Sequence, residues 1–400
     1  MKILFLCNKS PWPPKEGAPM AMNMLIEGLL SAGHEVKILA VNSFKYKISP
    51  EKIPVTFREK TGIELLDVDL RINPLHAFLN LFSNESYHVK RFVSKKFRQR
   101  LIEVLKASSF DVVQLETLFM CPYIDTVRLH SGAAIVLRAH NIEHRIWQRI
   151  ADETRNPVKK WYLGHLARTL KRYEEHIVTE VNGIAAITPT DAEYFRNLIA
   201  GPLPVIDLPF GADPMKYANP SHTVEYPSIF SLGSMNWIPN LEGIRWFLLN
   251  VWPDVHKQFP DLKYYLAGRG MPDWMRNLKL PNVEVVGEVE DAGKFLASKA
   301  IMIVPLFSGS GIRIKIIEGM AAGKTIISTG IGAEGIRYAN HENILIANAP
   351  CEFFDMISLC IANKPLFEKI GKQARILIQT SYSPQNLIRN LLAFYKQLAG

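Results

Sequence analysis

The chain has 400 residues, of which 48% are hydrophobic and 21% charged, a balance that is ordinary for a folded globular protein of two or three domains. Its formal net charge of +9 is shared between the two halves, and we expect no nucleic-acid partner. No apolar run approaches the roughly 18 residues that cross a bilayer, and Ile3–Cys7 is too short for a signal peptide. The cysteines show no close pairing, which favours a reduced, cytoplasmic protein: Cys7, Cys121, Cys351 and Cys360.

The N-terminus opens with a short apolar strand, Ile3–Cys7, followed by a proline-rich loop that leads to Gly17. A helix is predicted over residues 20–32 and a second strand over Val36–Val41. Strand, loop, helix and strand in this order predict a doubly wound α/β sheet. A G-x-G-x-x-G fingerprint is absent, which argues against a dehydrogenase. Gly17 fits either a plain turn or a loop that approaches phosphate.

Residues 87–106 form a basic segment with apolar residues at helical spacing. Only Glu103 opposes seven cations: Lys90, Arg91, Lys95, Lys96, Arg98, Arg100 and Lys106. One interpretation is a helix that lies on an anionic membrane. The other is a helix that packs on its own domain and exposes a solvated face.

A histidine follows the predicted buried strand Ala134–Ala139. His140 would lie at the carboxyl edge of a parallel sheet, where α/β proteins bind ligands. A single histidine is often structural, but this position favours a functional role. We expect His144 to lie inside the next helix, within a helical region over residues 144–181 that is interrupted near Pro157.

Residues 209–213 predict a linker into a second α/β unit. Three of its predicted strand segments end at or just before glycines: Ser228–Gly233, Lys263–Ala267 and Val283–Val286, the last followed by Gly287. We therefore predict an N-terminal domain over residues 1–213, a second domain over 214–383 and a final helix over 384–400.

The most informative stretch is residues 301–335, which predict a strand, a loop containing Gly309 and Gly311, a helix over 312–322 and another strand. Arg313 and Lys315 would lie in the first turn of that helix, where the helix dipole disfavours positive charge by about 0.3–1 kcal/mol per residue. An anion bound at the helix N-terminus would reverse this penalty. The alternative is a pair of surface cations with extended side chains.

Glu318 lies one turn further along the same predicted helix, among apolar and small residues. A carboxylate can accept hydrogen bonds from both hydroxyls of a ribose. Phosphate-binding cations next to a hydroxyl-binding carboxylate predict a nucleotide site.

This stretch resembles the donor-binding segment of retaining glycosyltransferases with the GT-B fold, specifically glycosyltransferase family 4. The family pattern is Glu-x7-Glu; Glu318 matches the second glutamate, whereas Ser310 stands at the first. The loop before Gly17, residues 33–36 and the linker 209–213 also resemble elements of that family.

The resemblance implies two Rossmann-like domains that face each other across a cleft, with the last helix crossing back to the first domain. It implies transfer of a sugar, with retention of configuration, from a nucleoside-diphosphate sugar to a glycan or lipid-linked acceptor in bacterial cell-surface polysaccharide or glycoconjugate synthesis. Catalytic roles fall on His140, Arg313 and Lys315, and Glu318 would hold the ribose. Further donor contacts fall on Gly17, Gly233, Gly287, Ser310 and Gly311.

The resemblance also implies that no metal or other cofactor is required, because two cations hold the diphosphate. The protein is expected in the cytoplasm, with residues 87–106 as a possible contact to the inner membrane face. Two alternatives stay open: a sugar-nucleotide epimerase of the same fold, and a non-catalytic subunit of a polysaccharide-assembly complex, which Ser310 would favour. The sugar, the base and the acceptor do not follow from the residues.

Overall fold

The computed structural model describes residues 1–199, 201–217, 223–309 and 311–400. They divide into two compact units. Unit 1 comprises Met1–Pro209 and Ile388–Gly400, and unit 2 comprises Phe210–Leu387. The sequence places the corresponding boundaries after residues 213 and 383.

Unit 1 is built on a parallel sheet to which its described residues contribute seven strands: β1 (Lys2–Cys7), β2 (Glu35–Asn42), β3 (Glu64–Asp67), β4 (Val112–Glu116), β5 (Ala134–Ala139), β6 (Gly183–Ala186) and β7 (Val205–Asp207). Its helices are α1 (Gly17–Ser31), α2 (Val55–Thr61), α3 (Pro74–Asn80), α4 (Tyr87–Lys90), α5 (Lys95–Ala107), α6 (Ile124–His130), α7 (Glu143–Glu153), α8 (Pro157–Ile177) and α9 (Pro189–Leu198). The central strands are buried along nearly their whole length, as expected for a parallel sheet covered on both faces.

The strand order in unit 1 is β3-β2-β1-β4-β5-β6-β7. The first six positions follow the doubly wound order, in which the direction of winding reverses between β1 and β4. Ligands of such sheets bind at the carboxyl edge near that reversal. Glu116 ends β4 and His140 follows β5, so both lie at this edge.

Unit 2 repeats the design, and its described residues contribute six parallel strands: β8 (Glu225–Leu232), β9 (Lys263–Ala267), β10 (Val283–Gly287), β11 (Lys299–Val304), β12 (Thr325–Ser328) and β13 (Leu345–Ile346). Its helices are α10 (Ile238–Asn250), α11 (Trp252–Gln258), α12 (Asp273–Arg276), α13 (Ala292–Ser298), α14 (Ile314–Ala321), α15 (Pro350–Ala362) and α16 (Lys364–Ser381), and α17 (Pro384–Ala399) ends the chain. The order β10-β9-β8-β11-β12-β13 places the reversal between β8 and β11. Gly233 and the loop that leads to α14 follow these two strands.

The last helix, α17, belongs to unit 1 from Ile388 onwards. Its buried face includes Leu391 and Phe394. The Tyr395 hydroxyl is also buried and donates a hydrogen bond to the side-chain oxygen of Gln114 on β4. The C-terminal residues therefore reach the centre of the first sheet.

The basic segment over residues 87–106 forms two helices, α4 and α5, and not the single helix that the spacing predicts. The chain turns after α4 through hydrogen bonds from Phe92 and Val93, and the Ser94 hydroxyl then caps α5. Four of its cations have protein partners: Lys90 pairs with Glu85, Arg91 donates to the Leu70 carbonyl, Arg98 donates to Thr126, and Arg100 pairs with Glu64.

Within the described parts of the chain, no helix has both the length and the apolar character that a bilayer crossing requires.

Candidate functional site

Three glycines line the carboxyl edge of the sheet in unit 2. The Gly233 amide donates to the Ala267 carbonyl at 3.2 Å, and the Gly268 amide donates to the Gly287 carbonyl at 2.7 Å. Gly268 has φ of +144°, and a Cβ there would lie 1.7 Å from the Gly233 carbonyl oxygen. Only glycine fits this position, because the backbones of Gly233 and Gly268 pack directly together. Gly233 and Gly287, two predicted donor contacts, are thus adjacent to the same residue.

Lys315 lies in the first turn of α14 and points towards this edge. Its Nζ donates to Asn240 Oδ1 at 2.7 Å, and the Asn240 amide in turn donates to the Ser234 carbonyl at 2.8 Å. A Cβ placed on Gly233 would lie 3.7 Å from the same Nζ, so the structure brings Gly233 and Lys315 together. Asn240 was not assigned a role from the sequence, although an asparagine at the start of a helix after a glycine-ended strand is a usable signal.

Keeping Lys315 protonated in this position is unfavourable in free energy. Burial lowers the pKa of this amine to about 7, and the nearby Arg313 contributes in the same direction. Asn240, the hydrogen-bond partner, is neutral and does not offset the cost. An anion bound beside Nζ would raise the pKa again, so binding of an anion and protonation of Lys315 are coupled.

Arg313 lies at the N-cap of α14, because the helix begins at Ile314 and not at the predicted residue 312. Its side chain is buried, donates to the Gly311 carbonyl and lies over the Trp237 ring, 5.5 Å from the centroid. Gly309 has φ of +117°, and a Cβ there would lie 2.9 Å from both Arg313 Nη2 and the Trp237 ring. Arg313 therefore shapes the glycine loop as well as adding charge to it.

Ser310, the predicted donor contact that replaces the first family glutamate, lies outside the described residues.

Glu318 follows Lys315 by one helical turn and is half-buried. Burial raises the pKa of its carboxyl group, while a hydrogen bond from Tyr217 and the charge of Lys216 act against that rise. The Tyr217 hydroxyl donates to Glu318 Oε1 at 3.2 Å. No sequence pattern connects Tyr217 with Glu318, since 101 positions separate them. Along one helix, the site thus offers cationic groups and then a carboxylate that already accepts a hydroxyl.

A second polar cluster lies at the carboxyl edge of the sheet in unit 1. His140 Nε2 lies 2.6 Å from Glu116 Oε2, and Arg138 Nε lies 4.0 Å from the same oxygen. The Gln114 amide donates to the other carboxylate oxygen, and Tyr395 donates to Gln114. A hydrogen-bonded chain therefore runs from α17 to His140. Because Glu116 occupies Nε2, the ring presents Nδ1 to any further partner.

Glu116 stays ionised in this buried setting. Burial favours its neutral form most strongly, but the hydrogen bond from His140 and the charges of His140 and Arg138 outweigh it, so its pKa lies below the ordinary value. The sequence prediction found His140 but not Glu116. The signal was present, because a carboxylate that ends a buried strand faces the same edge as a polar group that ends the neighbouring strand.

A buried acidic pair stands beside the same edge. Glu174 of α8 accepts from the backbone amides of Glu143 and His144 at 3.0 and 3.3 Å, and His144 Nδ1 lies 2.6 Å from its carboxylate. Burial, together with the charge of Glu174, raises the pKa of Glu143 to about 7. Glu174 thereby attaches the start of α7, just after His140, to α8. Gly17, the remaining predicted contact in unit 1, is the first residue of α1 and not part of the preceding loop.

The second unit matches a known protein family. Residues 226–363 match the family model described as Glycosyl transferases group 1. Unit 2 carries a group 1 glycosyltransferase domain. The predicted enzyme class, glycosyltransferase, is confirmed by this match.

Relatives of this glycosyltransferase cover different shares of the chain. An uncharacterized 44.6 kDa protein in the cps region of Klebsiella pneumoniae is 23% identical over 409 residues, which cover 98% of each chain. The phosphatidyl-myo-inositol mannosyltransferase of Mycobacterium tuberculosis is 26% identical over 137 residues, which cover 32% of this chain and 35% of that protein.

Solved structures resemble the glycosyltransferase over its whole length. The HepE protein of Anabaena, in complex with UDP and glucose, has a TM-score of 0.65 at 14% identity and covers 99% of this chain and 100% of its own. The solved structures that match this chain over its length are GT-B glycosyltransferases, which confirms the predicted fold class.

The Glu116 cluster generates a prediction about stability. Glu116→Gln removes the negative charge that compensates Arg138 and His140, and breaking such a buried pair costs about 3–5 kcal/mol. Since the native pKa of Glu116 is lowered, its contribution is complete above the unfolded value of about 4.3 and is lost as pH falls through the native value. Urea unfolding at neutral and acidic pH should show a large deficit that shrinks on acidification.

Glu64→Gln is the matched control for this experiment. Glu64 also lies on a strand of the same sheet and binds two cations, Lys37 and Arg100, but it is partly exposed to water. Its replacement should cost at most about 1 kcal/mol. Equal losses for the two variants would show that burial of Glu116 is not what makes its charge important.

Proposed function

We propose that this protein is a retaining glycosyltransferase that transfers a sugar from a nucleoside-diphosphate sugar to a glycan or lipid-linked acceptor. The observation that carries the proposal is the arrangement on α14 of unit 2. Lys315 and Arg313 lie at its N-terminal end beside a glycine-lined sheet edge, and Glu318 follows one turn later. Diphosphate and ribose are the groups that this order of charges fits.

In the proposed role, Lys315 and Arg313 neutralise the diphosphate as it leaves the anomeric carbon. The backbone amides at the start of α14 add to this field, which acts where negative charge develops. Lys315 is prepared for the task because burial disfavours its charge in the absence of an anion. Donor binding would therefore bring a proton to Lys315 above neutral pH.

Glu318 is proposed to hold the ribose hydroxyls, as Tyr217 already shows that its carboxylate accepts from a hydroxyl. Gly233, Gly287, Gly311 and Ser310 are proposed to approach the donor through their backbone. In unit 1, His140 is proposed to contact the substrate through Nδ1, since Nε2 bonds to Glu116. Gly17 is proposed as a further donor contact at the start of α1.

The relatives support the chemical classes in this proposal. The HepE structure holds UDP and glucose, so UDP is the first nucleotide to test. The mycobacterial relative is named for mannosyl transfer to phosphatidyl-myo-inositol, a lipid, and the Klebsiella relative for its place in a cps region. These names favour a lipid-linked or glycan acceptor in cell-surface polysaccharide synthesis, with peripheral attachment to the cytoplasmic membrane face.

Sugar transfer itself is the decisive test. UDP-sugars and GDP-sugars are incubated with lipid-linked and free glycan acceptors in EDTA, and the product linkage is assigned by NMR. We expect acceptor-dependent release of nucleoside diphosphate, retention at the anomeric carbon and full activity without divalent metal, because protein cations serve the diphosphate. An altered sugar nucleotide formed without acceptor would instead identify an epimerase, and loss of activity in EDTA would contradict the metal-free mechanism.

Replacing Lys315 should weaken binding of the nucleoside diphosphate and leave binding of the nucleoside nearly unchanged. Lys315→Met loses a charge-assisted hydrogen bond, so UDP affinity should fall about 10- to 100-fold while uridine affinity stays within about twofold. Calorimetry at pH 8 in two buffers of different ionisation enthalpy should show proton uptake with wild type, because an amine of pKa about 7 is then mostly neutral. The Lys315→Met variant should take up fewer protons when it binds UDP.

Lys324→Met is the control for the loss of a buried lysine in unit 2. Lys324 is also buried, its pKa is lowered to about 8, and it donates to the carbonyls of Ala297 and Lys299. It precedes β12 and therefore lies at the opposite edge of the sheet. A similar loss of UDP affinity in this variant would indicate a general effect on the fold.

Arg313→Ala should weaken UDP binding as Lys315→Met does, and it should also reduce the order of the glycine loop.

The ribose role of Glu318 is tested with Glu318→Gln, which keeps the shape but loses the charged acceptor. Hydrogen bonds to a charged group contribute roughly 1.5–3 kcal/mol, so UDP affinity should fall about tenfold or more. Calorimetry with 2′,3′-dideoxy-UDP provides the comparison. If wild type binds the dideoxynucleotide as tightly as UDP, Glu318 does not hold the ribose.

A further inference from the structure

Exposed apolar side chains are concentrated at one place in unit 1. Within eleven residues at and around α3, five large side chains are each more than half exposed: Ile72 (68%), Leu75 (64%), Phe78 (57%), Leu79 (55%) and Phe82 (80%). Single exposed apolar residues are normal on protein surfaces, but contiguous groups mark an interaction site. These five residues are called the α3 patch below.

The α3 patch is held in place from its other side. Ala77 and Asn80 are the buried residues of α3, and Ala77 joins Tyr87, Ala151, Leu163 and Leu166 in one cluster. The Asn73 side chain caps α3 by accepting from the amides of residues 75 and 76 at 3.0 and 3.1 Å. The helix is thus anchored by its smallest apolar side chain and by polar caps, so its large apolar side chains face solvent in a well-defined position.

A neighbouring helix extends the apolar surface. Leu163 and Leu166, which pack with Ala77, belong to α8, so α3 and α8 are adjacent. The first turns of α8 expose two further large side chains, Val158 (74%) and Trp161 (58%). Tryptophan and phenylalanine are the residues that settle best at the boundary between lipid headgroups and acyl chains.

The charge within this surface is mainly positive, although Asp69, Glu85 and Glu153 flank it and Glu175 pairs with Lys171. Residues 70–84 contain no acidic residue, and neither do residues 154–173. The second stretch carries six exposed cations: Arg155, Lys159, Lys160, Arg168, Lys171 and Arg172. Arg172 Nη1 donates to Asn84 Oδ1 at 3.2 Å, which connects α8 with the segment that follows α3. Exposed aromatic residues beside cations, with no acids between them, match an anionic lipid surface.

We infer that α3 and the N-terminal half of α8 form a docking surface for an anionic bilayer. The inference rests on the proposed function, since it supplies the position from which unit 1 would reach a lipid-linked acceptor. It differs from one interpretation of the sequence, in which residues 87–106 contact the membrane. In that segment Val93 is the one large apolar side chain that is exposed, and the buried residues of α5 face the core.

The docking surface is connected to the predicted acceptor side of unit 1. Ala151 of α7 belongs to the cluster that anchors α3, and Trp147 of the same helix stacks on His88 with ring centroids 3.9 Å apart. The helix α7 begins directly after His140, and Glu174 of α8 caps it. A lipid seated at the α3 patch therefore lies one helix away from His140.

Vesicle co-sedimentation tests the inference with the full chain. Vesicles of phosphatidylcholine alone are compared with vesicles that also contain phosphatidylglycerol, at low and high salt. We expect wild type to bind the anionic vesicles at low salt and to be released at high salt. Phe78→Ser with Phe82→Ser, and separately Lys159→Glu with Lys160→Glu, should each weaken binding about tenfold or more. Lys95→Glu with Lys96→Glu on α5 makes the same charge change elsewhere and should leave binding within about threefold.

Three outcomes would overturn the inference: no binding of wild type to anionic vesicles, equal binding by all variants, or a loss confined to the α5 variant. A wild-type dimer in sedimentation velocity that the Phe78→Ser, Phe82→Ser variant abolishes would also overturn it, because the patch would then bind a second copy. UDP calorimetry on the same variants keeps the two proposals separate. Intact UDP binding with no vesicle binding rejects the docking surface alone, whereas vesicle binding without any nucleotide binding rejects the proposed function alone.

Discussion

The second unit is organised around a lysine ammonium at the start of a helix whose hydrogen-bond partner, among the described residues, is neutral. Desolvation, Arg313 and the dipole of α14 all oppose the charge on Lys315, and Asn240 offers it a carboxamide oxygen and not a carboxylate. Such an arrangement is costly in isolation and becomes favourable when an anion arrives. At the ends of β8 and β9 the backbones of Gly233 and Gly268 pack directly together, and Gly233 lies beside Nζ.

The first unit uses the same strand order but treats buried charge in the opposite way. Glu116, Arg138 and His140 compensate one another, and Gln114 and Tyr395 satisfy further hydrogen bonds. Two buried nitrogens of Arg138, Nε and Nη1, have no hydrogen-bond partner among the described residues, so the cluster balances charge without satisfying every polar atom. Unit 1 thus holds His140 by a hydrogen bond to a carboxylate, whereas in unit 2 the proposed ligand would compensate the charge of Lys315. This difference fits an enzyme whose donor carries the negative charge.

On the outer face of unit 1, the helix α3 exposes its large apolar side chains. On α3 the small Ala77 packs inwards while phenylalanine and leucine residues face out, which is the reverse of an ordinary amphipathic helix. Water alone does not favour that arrangement. An apolar surface beside the cations of α8 is stable where the proposed lipid interface covers it, and α7 and α8 connect that surface with the segment that carries His140.

The sequence by itself determined the fold class and the main elements around Lys315 in unit 2, because both rest on local patterns. Alternating strands and helices predict a doubly wound sheet, and the run from Ile301 to Ser328 predicts strand, glycine loop, helix and strand, all of which the structure contains. The placement of Lys315 and Glu318 one turn apart also follows from helical spacing alone. The position of His140 at the end of β5 was predicted because strand ends follow from apolar runs.

Only the tertiary structure decided which groups these residues meet. Tyr217 reaches Glu318 across 101 positions, Asn240 reaches Lys315 across 75, and Tyr395 reaches Gln114 across 281. The spacing within residues 87–106 allowed either a helix on a membrane or a helix packed on its own domain; in the structure Glu64, Leu70 and Thr126 bind its arginines from other elements. The exposure of α3 was equally hidden, since its composition resembles that of a buried helix. Periodicity reports which way a residue faces on its own element, whereas partners, burial and pKa depend on how distant segments pack, and no local pattern records that.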